Sequence, residues 1–195
     1  MRVQRSNEHR LMPWANGLGV TAEIRAWPVE PEPWVWRLSI ADVSADGPFS
    51  VFAGIDRHII VIDGVGMGLT IDGGVEQRVT LGSQPLSFSG DAVTTCRLLD
   101  GPVSDLNLMV RRAYGAGALR VERVRAGHRI NDADVAEGHF DVVAVVVLRG
   151  SLRVGGSELS VFDALVLEPN ELMPTLVAFS DSIVAVAIIS KKSPT

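Results

Sequence analysis

Apolar and polar residues alternate along much of the chain with a period of two. In "WVWRLSIADV" the large apolar side chains fall on one face, and Arg37, Ser39 and Ala41 fall on the other. The segments "VTAEIRA" and "DLNLMVRR" alternate in the same way, and helical periodicity is almost absent. This period is typical of strands that bury one face, and the glycine pairs in "IDGG" and "VGG" favour tight turns. The pattern predicts an all-β protein built from antiparallel strands.

Two segments share one plan and indicate an internal repeat. "RHIIVIDGVGMGLTIDGG" and "VVAVVVLRGSLRVGG" each contain an apolar strand, a glycine, a short strand and a glycine turn. The intervening "RRAYGAGA" has the composition of a hinge. We therefore expect two β-barrels in tandem, over residues 1–112 and 119–195. The alternative is a single irregular β-sandwich whose two halves are similar by chance.

The charge and composition exclude some partners. The 195 residues carry 23 acidic and 18 basic side chains, a net charge of −5, and no basic cluster typical of nucleic-acid binding. The runs "DVVAVVVL" and "IVAVAII" fall far short of the ~20 apolar residues that span a bilayer. Cys96 is the only cysteine, so no internal disulfide forms and we expect the thiol to pack in the core. These features predict a cytoplasmic protein without nucleic-acid or membrane partners.

The strand and glycine pattern resembles that of the cupins, whose metal site uses two His and a Glu. In cupins the Glu precedes the first glycine of the pattern by seven positions, which here leads from Gly64 to Arg57. The two His positions fall within Ser50–Ala53, and a later His corresponds to Val93. The resemblance thus implies that the first barrel has lost its metal ligands, and a cation in the Glu position repels a metal ion.

The second barrel retains at most a remnant of such a site. Counting back from Gly150 leads to Val143, preceded by His139 and Glu137. Two ligands make a poor site, because zinc and iron sites usually have three protein ligands. We expect no metal and no other cofactor in either barrel.

A closer resemblance is to the HutD family, also called HutD/Ves. The family pattern is Trp-x-Asn-Gly-x-Gly-x-Thr, Arg-Leu-Ser-Ile-Ala, Gly-Pro-Phe-Ser, Asp-Arg and Asp-x-Asn-x-Met. All five motifs occur in order between Pro13 and Arg112, beginning with "WANGLGVT", whereas the second half matches only in architecture. The resemblance implies a metal-free bicupin fold, an association with bacterial histidine utilisation and a regulatory role. It also implies formylglutamate or urocanate as candidate ligands.

Arg57 stands at the entrance of the strand that continues as "HIIVID". A guanidinium does not deprotonate at physiological pH, and burying it without an anion costs several kcal/mol. The anion is either internal, with Asp56, Asp105 and Glu23 as candidates, or the carboxylate of a bound ligand. Both interpretations remain open at this point.

The polar faces of several strands add further candidates. Arg37 and Ser39 share one strand face, Asn107 lies on another and Thr21 on a third. If these faces converge inside a barrel, they form a pocket with a few fixed hydrogen-bonding groups. Simple exposure to water is the alternative, because antiparallel sheets often have one solvated face.

The segment "PWANGLGVT" contributes the remaining candidates. Gly17 and Gly19 allow a close approach of the backbone, Trp14 has the size to cover a pocket, and Asn16 offers hydrogen bonds. The alternative is a turn in which Asn16 bonds its own backbone.

Two functions of different class follow. The first is a small-carboxylate binding protein with a regulatory role in histidine catabolism. Its predicted ligand-binding residues are Trp14, Asn16, Thr21, Arg37, Ser39, Arg57 and Asn107. The second is a metal-independent enzyme, an isomerase or lyase, which needs a general base near Arg57, with Glu23 and His58 as candidates. We also expect a homodimer, because "IVAVAII" is an apolar strand that needs cover.

Overall fold

The computed structural model describes residues 1–14, 17, 19–28, 33–130, 141–168 and 171–192. Over these ranges the chain consists almost entirely of antiparallel strands, with one 3-10 turn at Ser6–Glu8 and no α-helix. The expected all-β fold is therefore confirmed. In chain order the strands are β1 Arg2–Gln4, β2 Arg10–Pro13, β3 Gly19–Trp27, β4 Trp36–Val43, β5 Gly47–Pro48, β6 Ile55–Asp63, β7 Gly66–Ile71, β8 Gln77–Thr80, β9 Leu86–Ser89, β10 Thr94–Leu98, β11 Val103–Arg111, β12 Gly115–Val124, β13 Arg129–Ile130, β14 Val142–Arg149, β15 Leu152–Val154, β16 Ser157–Leu159, β17 Ala164–Leu167, β18 Leu176–Ala178 and β19 Ser182–Lys191.

The chain divides into two compact units. One comprises Arg10–Ala116 and is called here the N-terminal barrel; the other comprises Met1–His9 with Gly117–Thr195 and is called the C-terminal barrel. The first nine residues belong to the C-terminal barrel because β1 pairs with β17. The sequence had placed those residues with the N-terminal half.

The N-terminal barrel is cupin-like and contains two sheets. A six-stranded sheet has the order β2-β3-β4-β11-β6-β9, and a four-stranded sheet has the order β5-β10-β7-β8. Between the sheets lies an apolar core that includes Ile59, Val61, Met67, Leu69 and Cys96. Polar and apolar side chains both line the rest of the interior, among them Arg37, Asn107 and Phe52.

Strand alternation holds along most of the six-stranded sheet, as predicted. Trp36 and Leu38 are each 1% exposed, whereas Arg37 between them faces the barrel interior. A β-bulge between Glu23 and Arg25 interrupts the alternation in β3. Because a bulge adds one unpaired residue, the face prediction for "VTAEIRA" holds only as far as Glu23.

The C-terminal barrel is also cupin-like and has a solid aliphatic core. Its sheets have the orders β1-β17-β14-β19-β12 and β13-β18-β15-β16. The core between them includes Val143, Val145, Leu165, Val184 and Val186, all at most 1% exposed. Burial of this branched apolar surface is the main favourable term in the folding of this unit.

The two barrels repeat one strand order. The order β4-β11-β6-β9 in the first corresponds to β12-β19-β14-β17 in the second, and β5-β10-β7-β8 corresponds to β13-β18-β15-β16. Gly64 and Gly150 follow corresponding strands with φ of 85° and 79°. A Cβ at Gly64 would lie 2.5 Å from the carbonyl oxygen of Pro102, so both conformation and space require glycine. The repeat inferred from the sequence is therefore present in the topology.

In the described ranges, no helix has the length and apolar character needed to span a membrane.

Candidate functional site

Three cross-strand rows of side chains face the interior of the N-terminal barrel. Strands β4, β11 and β6 supply one residue each, because paired residues in adjacent strands point to the same side of a sheet. In that strand order the rows are Arg37–Met109–Arg57, Ser39–Asn107–Ile59 and Ala41–Asp105–Val61.

Seven of these nine residues, all except Ile59 and Val61, line a cavity of about 350 Å³. That volume lies in the range of ~300–1,000 Å³ that is typical of small-molecule sites. Residues from the chain entering β3 and from the segment after β5 complete the walls. The lining residues are Met12, Pro13, Trp14, Thr21, Arg37, Ser39, Ala41, Pro48, Phe49, Ser50, Phe52, Arg57, Asp105, Asn107 and Met109.

The structure brings together six of the seven residues that the sequence had proposed for ligand binding. They are Trp14, Thr21, Arg37, Ser39, Arg57 and Asn107, and all of them line the cavity. The seventh, Asn16, lies outside the described residues. Their shared position is a finding, and their role in binding a ligand stays a prediction.

Arg57 is buried, with only 5% of its surface exposed. Its Nε has no hydrogen-bond partner among the described residues, and none of their carboxylates forms an ion pair with it. The guanidinium carbon lies 5.1 Å from the ring centre of Phe49, 5.8 Å from that of Phe52 and 5.0 Å from that of Phe88. Cation–π contacts with three rings offset part of the desolvation cost but leave the hydrogen bonds of the group unmade.

The three internal anions considered for Arg57 are in different situations. Asp56 forms an ion pair with Arg112 at 2.7 Å, and Glu23 does not line the cavity. Asp105 attracts Arg57 electrostatically without forming a close pair. Burial lowers the pKa of Arg57 to about 10; Asp105 opposes this change and Arg37 adds to it. The structure therefore provides no direct salt bridge for Arg57 within its described part.

Arg37 supplies a second guanidinium to the same row. Its Nη2 donates to the sulfur of Met109 at 3.3 Å, and its guanidinium carbon lies 4.8 Å from the Trp34 ring and 5.6 Å from the Phe52 ring. Phe52 thus packs against both Arg37 and Arg57. Two cations beside one cavity create a positive potential that favours an anionic ligand.

Asp105 and Asn107 lie on β11, the strand between those that carry Arg37 and Arg57. Asp105 is 1% exposed and Asn107 is 5% exposed. Burial raises the pKa of Asp105 to about 7, although the charge of Arg57 and a hydrogen bond from the Asn107 amide act in the opposite direction. Oδ1 of each residue is buried and accepts no hydrogen bond from a described residue. The cavity therefore holds two unused acceptors next to its two cations.

Trp14 and Thr21 form one wall of the cavity. The indole Nε1 of Trp14 donates to Oγ1 of Thr21 at 2.8 Å, and the ring packs edge-on against Phe49 with centroids 6.4 Å apart. Gly19 makes this packing possible, because a Cβ there would lie 2.4 Å from the carbonyl oxygen of Asp42 and 3.0 Å from the Trp14 ring. The second glycine of the motif is thus explained by close packing.

Only some of the positions that correspond to cupin metal ligands line the cavity. Ser50 and Phe52, in the segment assigned to the two His, line the cavity. Val93, assigned to the later His, is 64% exposed, so the counted position does not reach the interior; the neighbouring Thr94 is buried. In the part of the chain that the structure describes, no group of three His, Cys, Asp or Glu side chains could hold a metal ion. Glu137 and His139 lie outside those residues.

The C-terminal barrel serves as an internal comparison for the cavity. Its Val143 corresponds to Arg57, because each precedes a turn glycine by seven positions, and each pairs with the corresponding neighbouring strand, β19 or β11. On that pairing strand Val184, Val186 and Ile188 correspond to Asp105, Asn107 and Met109. The same topology is therefore stable with aliphatic residues at these positions, and the polar lining of the N-terminal barrel is not required by the fold.

Two further residues, His58 and Cys96, are structural in character. The Nδ1 atom of His58 lies 2.7 Å from the hydroxyl of Ser87, on the face of β6 opposite to Arg57. Cys96 is buried as expected, and burial, aided by Asp105 and Asp46, raises the pKa of its thiol to about 12. Such a thiol is a poor nucleophile. Neither Glu23 nor His58 reaches the cavity, so the proposed general bases of the enzyme hypothesis are wrongly placed.

Sequence reasoning missed several residues of the cavity. Phe52, Met109 and Met12 were not proposed, because apolar side chains carry no chemical signal of a site when read along the chain. Asp105 had been considered only as a partner of Arg57. Its alternation with Asn107 and Met109 in "DLNLMV" is the signal that places all three on one face.

Comparison with known proteins places this cavity in a family context. The family model described as HutD matches residues 6–184. An uncharacterized 21.2 kDa protein in the hutC 3' region of Pseudomonas putida is 41% identical over 110 residues, which are 56% of this chain and 57% of that protein. The matched segment thus spans little more than half of that relative. The protein Ves of Citrobacter koseri is 32% identical over 150 residues, 75% of this chain and 72% of that protein.

Solved structures show the same fold. HutD from Pseudomonas fluorescens SBW25, in a formate condition, has a TM-score of 0.80 and 32% identity, covering 98% of this chain and 99% of that one. YhhW from Escherichia coli has a TM-score of 0.72 and 11% identity, covering 100% and 99%. The second likeness bears on the fold alone.

Proposed function

The chain belongs to the HutD family, and from that membership and the chemistry of the cavity we propose that it binds a small carboxylate and has a regulatory role in bacterial histidine catabolism. Formylglutamate and urocanate are the candidate ligands. The N-terminal barrel supplies the site, with Arg57 as the main contact of the carboxylate. No cofactor is needed for binding of this kind.

Arg57 is the observation that carries this proposal. A buried guanidinium that has, among the described residues, no hydrogen-bond partner for Nε and no close carboxylate has a large unmet demand for an anion. A ligand carboxylate meets that demand with two parallel N–H donors, which is the geometry that a guanidinium favours. Arg37 stands in the same row and adds to the attraction.

The aliphatic counterpart in the C-terminal barrel supports a functional origin for these polar groups. Val143 replaces the arginine, and Val184 and Val186 replace the acid and the amide, without loss of the strand order. Because a buried cation is costly and the fold does not need it, its retention is most simply explained by a ligand.

The link to histidine utilisation rests on the family and on its relatives. The family is HutD, and one relative lies in the hutC 3' region of Pseudomonas putida. Within that link we propose that the protein senses or sequesters an intermediate of histidine degradation. Formylglutamate and urocanate are both anionic at neutral pH, as the cavity requires.

Isothermal titration calorimetry tests the proposal directly. Urocanate and formylglutamate are each titrated at millimolar concentration into the wild-type protein and into Arg57→Ala. We expect saturable binding of at least one compound to the wild type and its loss in the variant. Absence of heat from both compounds with the wild type would refute carboxylate binding. A reporter fused to histidine-degradation genes, in a strain carrying either protein, then tests regulation.

A second candidate function, a metal-independent enzyme acting on a small polar substrate, is favoured by Asp105. Its carboxyl lines the cavity, and burial raises its pKa to about 7, so it can exchange a proton near neutral pH. Incubation of each candidate ligand with the protein in deuterated water, followed by proton NMR, tests this function. Exchange or conversion that is lost in Asp105→Asn would support it, and unchanged spectra would exclude it for these compounds.

A further inference from the structure

Two buried acceptors share the cavity with the two arginines. Oδ1 of Asn107 and Oδ1 of Asp105 have no partner among the described residues, and the residues are 5% and 1% exposed. An unpaired buried acceptor is expensive, and native proteins rarely keep one without a reason. Two such atoms on neighbouring positions of one strand face indicate that something else donates to them.

The two acceptors ask for the same kind of partner. Oδ1 of Asn107 is an amide carbonyl oxygen and Oδ1 of Asp105 is a carboxyl oxygen, and no described residue donates to either. Both accept hydrogen bonds, so a group that binds to them must carry an N–H or O–H donor.

The rows of the sheet set the spacing between these acceptors and the cations. Asn107 lies one row from the Arg37–Met109–Arg57 row, and Asp105 lies two rows from it. Adjacent rows on one face are two residues apart along a strand, or roughly 7 Å. A small molecule whose anionic end contacts Arg57 therefore reaches the Asn107 row with its other end.

We propose that the ligand of this cavity combines a carboxylate with an N–H or O–H donor about one row away, and that Asn107 Oδ1, with Asp105 Oδ1 beside it, accepts from that donor. The inference rests on the proposed carboxylate-binding function and specifies its ligand class. A carboxylate of the same shape without the donor leaves the acceptors unpaired, which a site built for hydrogen bonding rejects strongly. Asn107 is then a specificity-determining residue, and Arg57 provides general attraction for anions.

Two pairs of probes that differ in a single atom test the proposal by calorimetry at pH 8. The first pair is urocanate, with its neutral imidazole N–H, and 3-(oxazol-4-yl)acrylate, which keeps the ring shape, the other ring nitrogen and the carboxylate but has oxygen in place of the N–H. The second pair is N-formyl-L-glutamate and its ester analogue, in which oxygen replaces the amide N–H. In at least one pair we expect the N–H compound to bind about tenfold more tightly, or better.

Variants test whether Asn107 causes this difference in affinity between the N–H compound and its analogue. In Asn107→Leu the N–H compound loses at least about tenfold in affinity, the analogue is little changed and the gap closes. Ser87→Ala, on the opposite face of the barrel wall and bonded to His58, is the matched control and keeps the gap. If Asn107→Leu does not fold, the wild-type comparison alone decides the question.

The outcomes separate this inference from the proposed function. Binding of both members of each pair with less than a tenfold gap overturns the donor requirement and leaves carboxylate binding intact. A gap that persists unchanged in a folded Asn107→Leu overturns the role of Asn107. Failure of all four probes to bind the wild type overturns the proposed function, and this inference with it.

Discussion

Arg37 and Arg57 stand on either side of Met109 in one cross-strand row, with their guanidinium carbons 5.6 Å and 5.8 Å from the centre of the same Phe52 ring. Two like charges that line one cavity repel each other, and Arg37 accordingly helps to lower the pKa of Arg57. The carboxylate ligand proposed above would offset this repulsion, because it brings a negative charge beside both guanidinium groups. The ligand-free protein therefore carries an unfavourable electrostatic energy that binding of an anion reduces.

Replacing Arg57 by Met separates binding from stability. Met fills similar space without charge, so we expect carboxylate affinity to fall by at least about tenfold, because a charge-assisted hydrogen bond is lost. The free energy of unfolding should stay the same or rise, since an unpaired buried cation is removed. Calorimetry and urea denaturation measure the two quantities.

Arg97→Met is the control for this variant. Arg97 is an exposed arginine of the same barrel that pairs with Glu76 at 2.7 Å and does not line the cavity. Its replacement should leave carboxylate affinity unchanged. A strong loss of stability in Arg57→Met with little loss of binding would contradict the functional interpretation and make Arg57 a structural residue.

Anion affinity should fall as pH rises through about 7. Burial raises the pKa of Asp105 to about 7, so above that pH the carboxylate adds a negative charge near Arg57 and opposes a bound anion. The other charged group that affects Asp105 is Asp42, which raises the same pKa further, while the thiol of Cys96 stays neutral. Titration of formylglutamate at pH 6 and pH 8.5 measures the change. In Asp105→Asn most of the dependence should disappear, and an equal dependence in both proteins would exclude Asp105 as its source.

The free energy of unfolding should depend on pH because of Asp105. The folded state keeps the Asp105 proton up to about pH 7, whereas an unfolded chain releases it near pH 4. Between these values the folded state binds more protons, so the free energy of unfolding falls as pH rises, by at most about 1.4 kcal/mol per pH unit.

Chemical denaturation of wild type and Asp105→Asn at pH 5 and pH 7.5 checks this prediction. The wild type should lose more stability across the interval than the variant does. Burial lowers the pKa of His9 and of His58, and this makes the free energy of unfolding rise with pH. Both histidines are present in both proteins, so their contribution cancels when the two proteins are compared. A wild type that gains as much as the variant would show that Asp105 is ionised throughout.

Gly19→Ala should disturb the wall that Trp14 forms. The new Cβ would lie 2.4 Å from the Asp42 carbonyl oxygen and 3.0 Å from the indole, so the backbone or the ring must move. Overpacking of this kind costs about 1–3 kcal/mol. We expect a lower denaturation midpoint, altered tryptophan fluorescence and weaker carboxylate binding. Gly73→Ala is the control for backbone strain without overpacking, because Gly73 has a positive φ of 69° and open space around its Cβ.

A large part of the fold could be predicted from the sequence, because the signals are local. Alternation with a period of two identified the strands and their buried faces, and turn glycines such as Gly64 and Gly150 marked the repeat. The count from each glycine to Arg57 and Val143 led to corresponding positions in two barrels with the same strand order. The HutD motifs identified the family, which the family model confirms over residues 6–184. The homodimer and the cytoplasmic location stay predictions.

By itself, the sequence determined that these are strands, which residues share a strand face and that a cation stands seven positions before the turn glycine Gly64, since each depends on neighbours along the chain. Only the tertiary structure decided that Phe52 packs against both arginines. It also decided that, within the described part of the chain, Asp105 and Asn107 keep unused acceptors and Arg57 has no close carboxylate. Those relationships depend on which strands pair and in what register. Pairing is a long-range choice governed by burial and hydrogen bonding of the whole barrel, so no local pattern contains it.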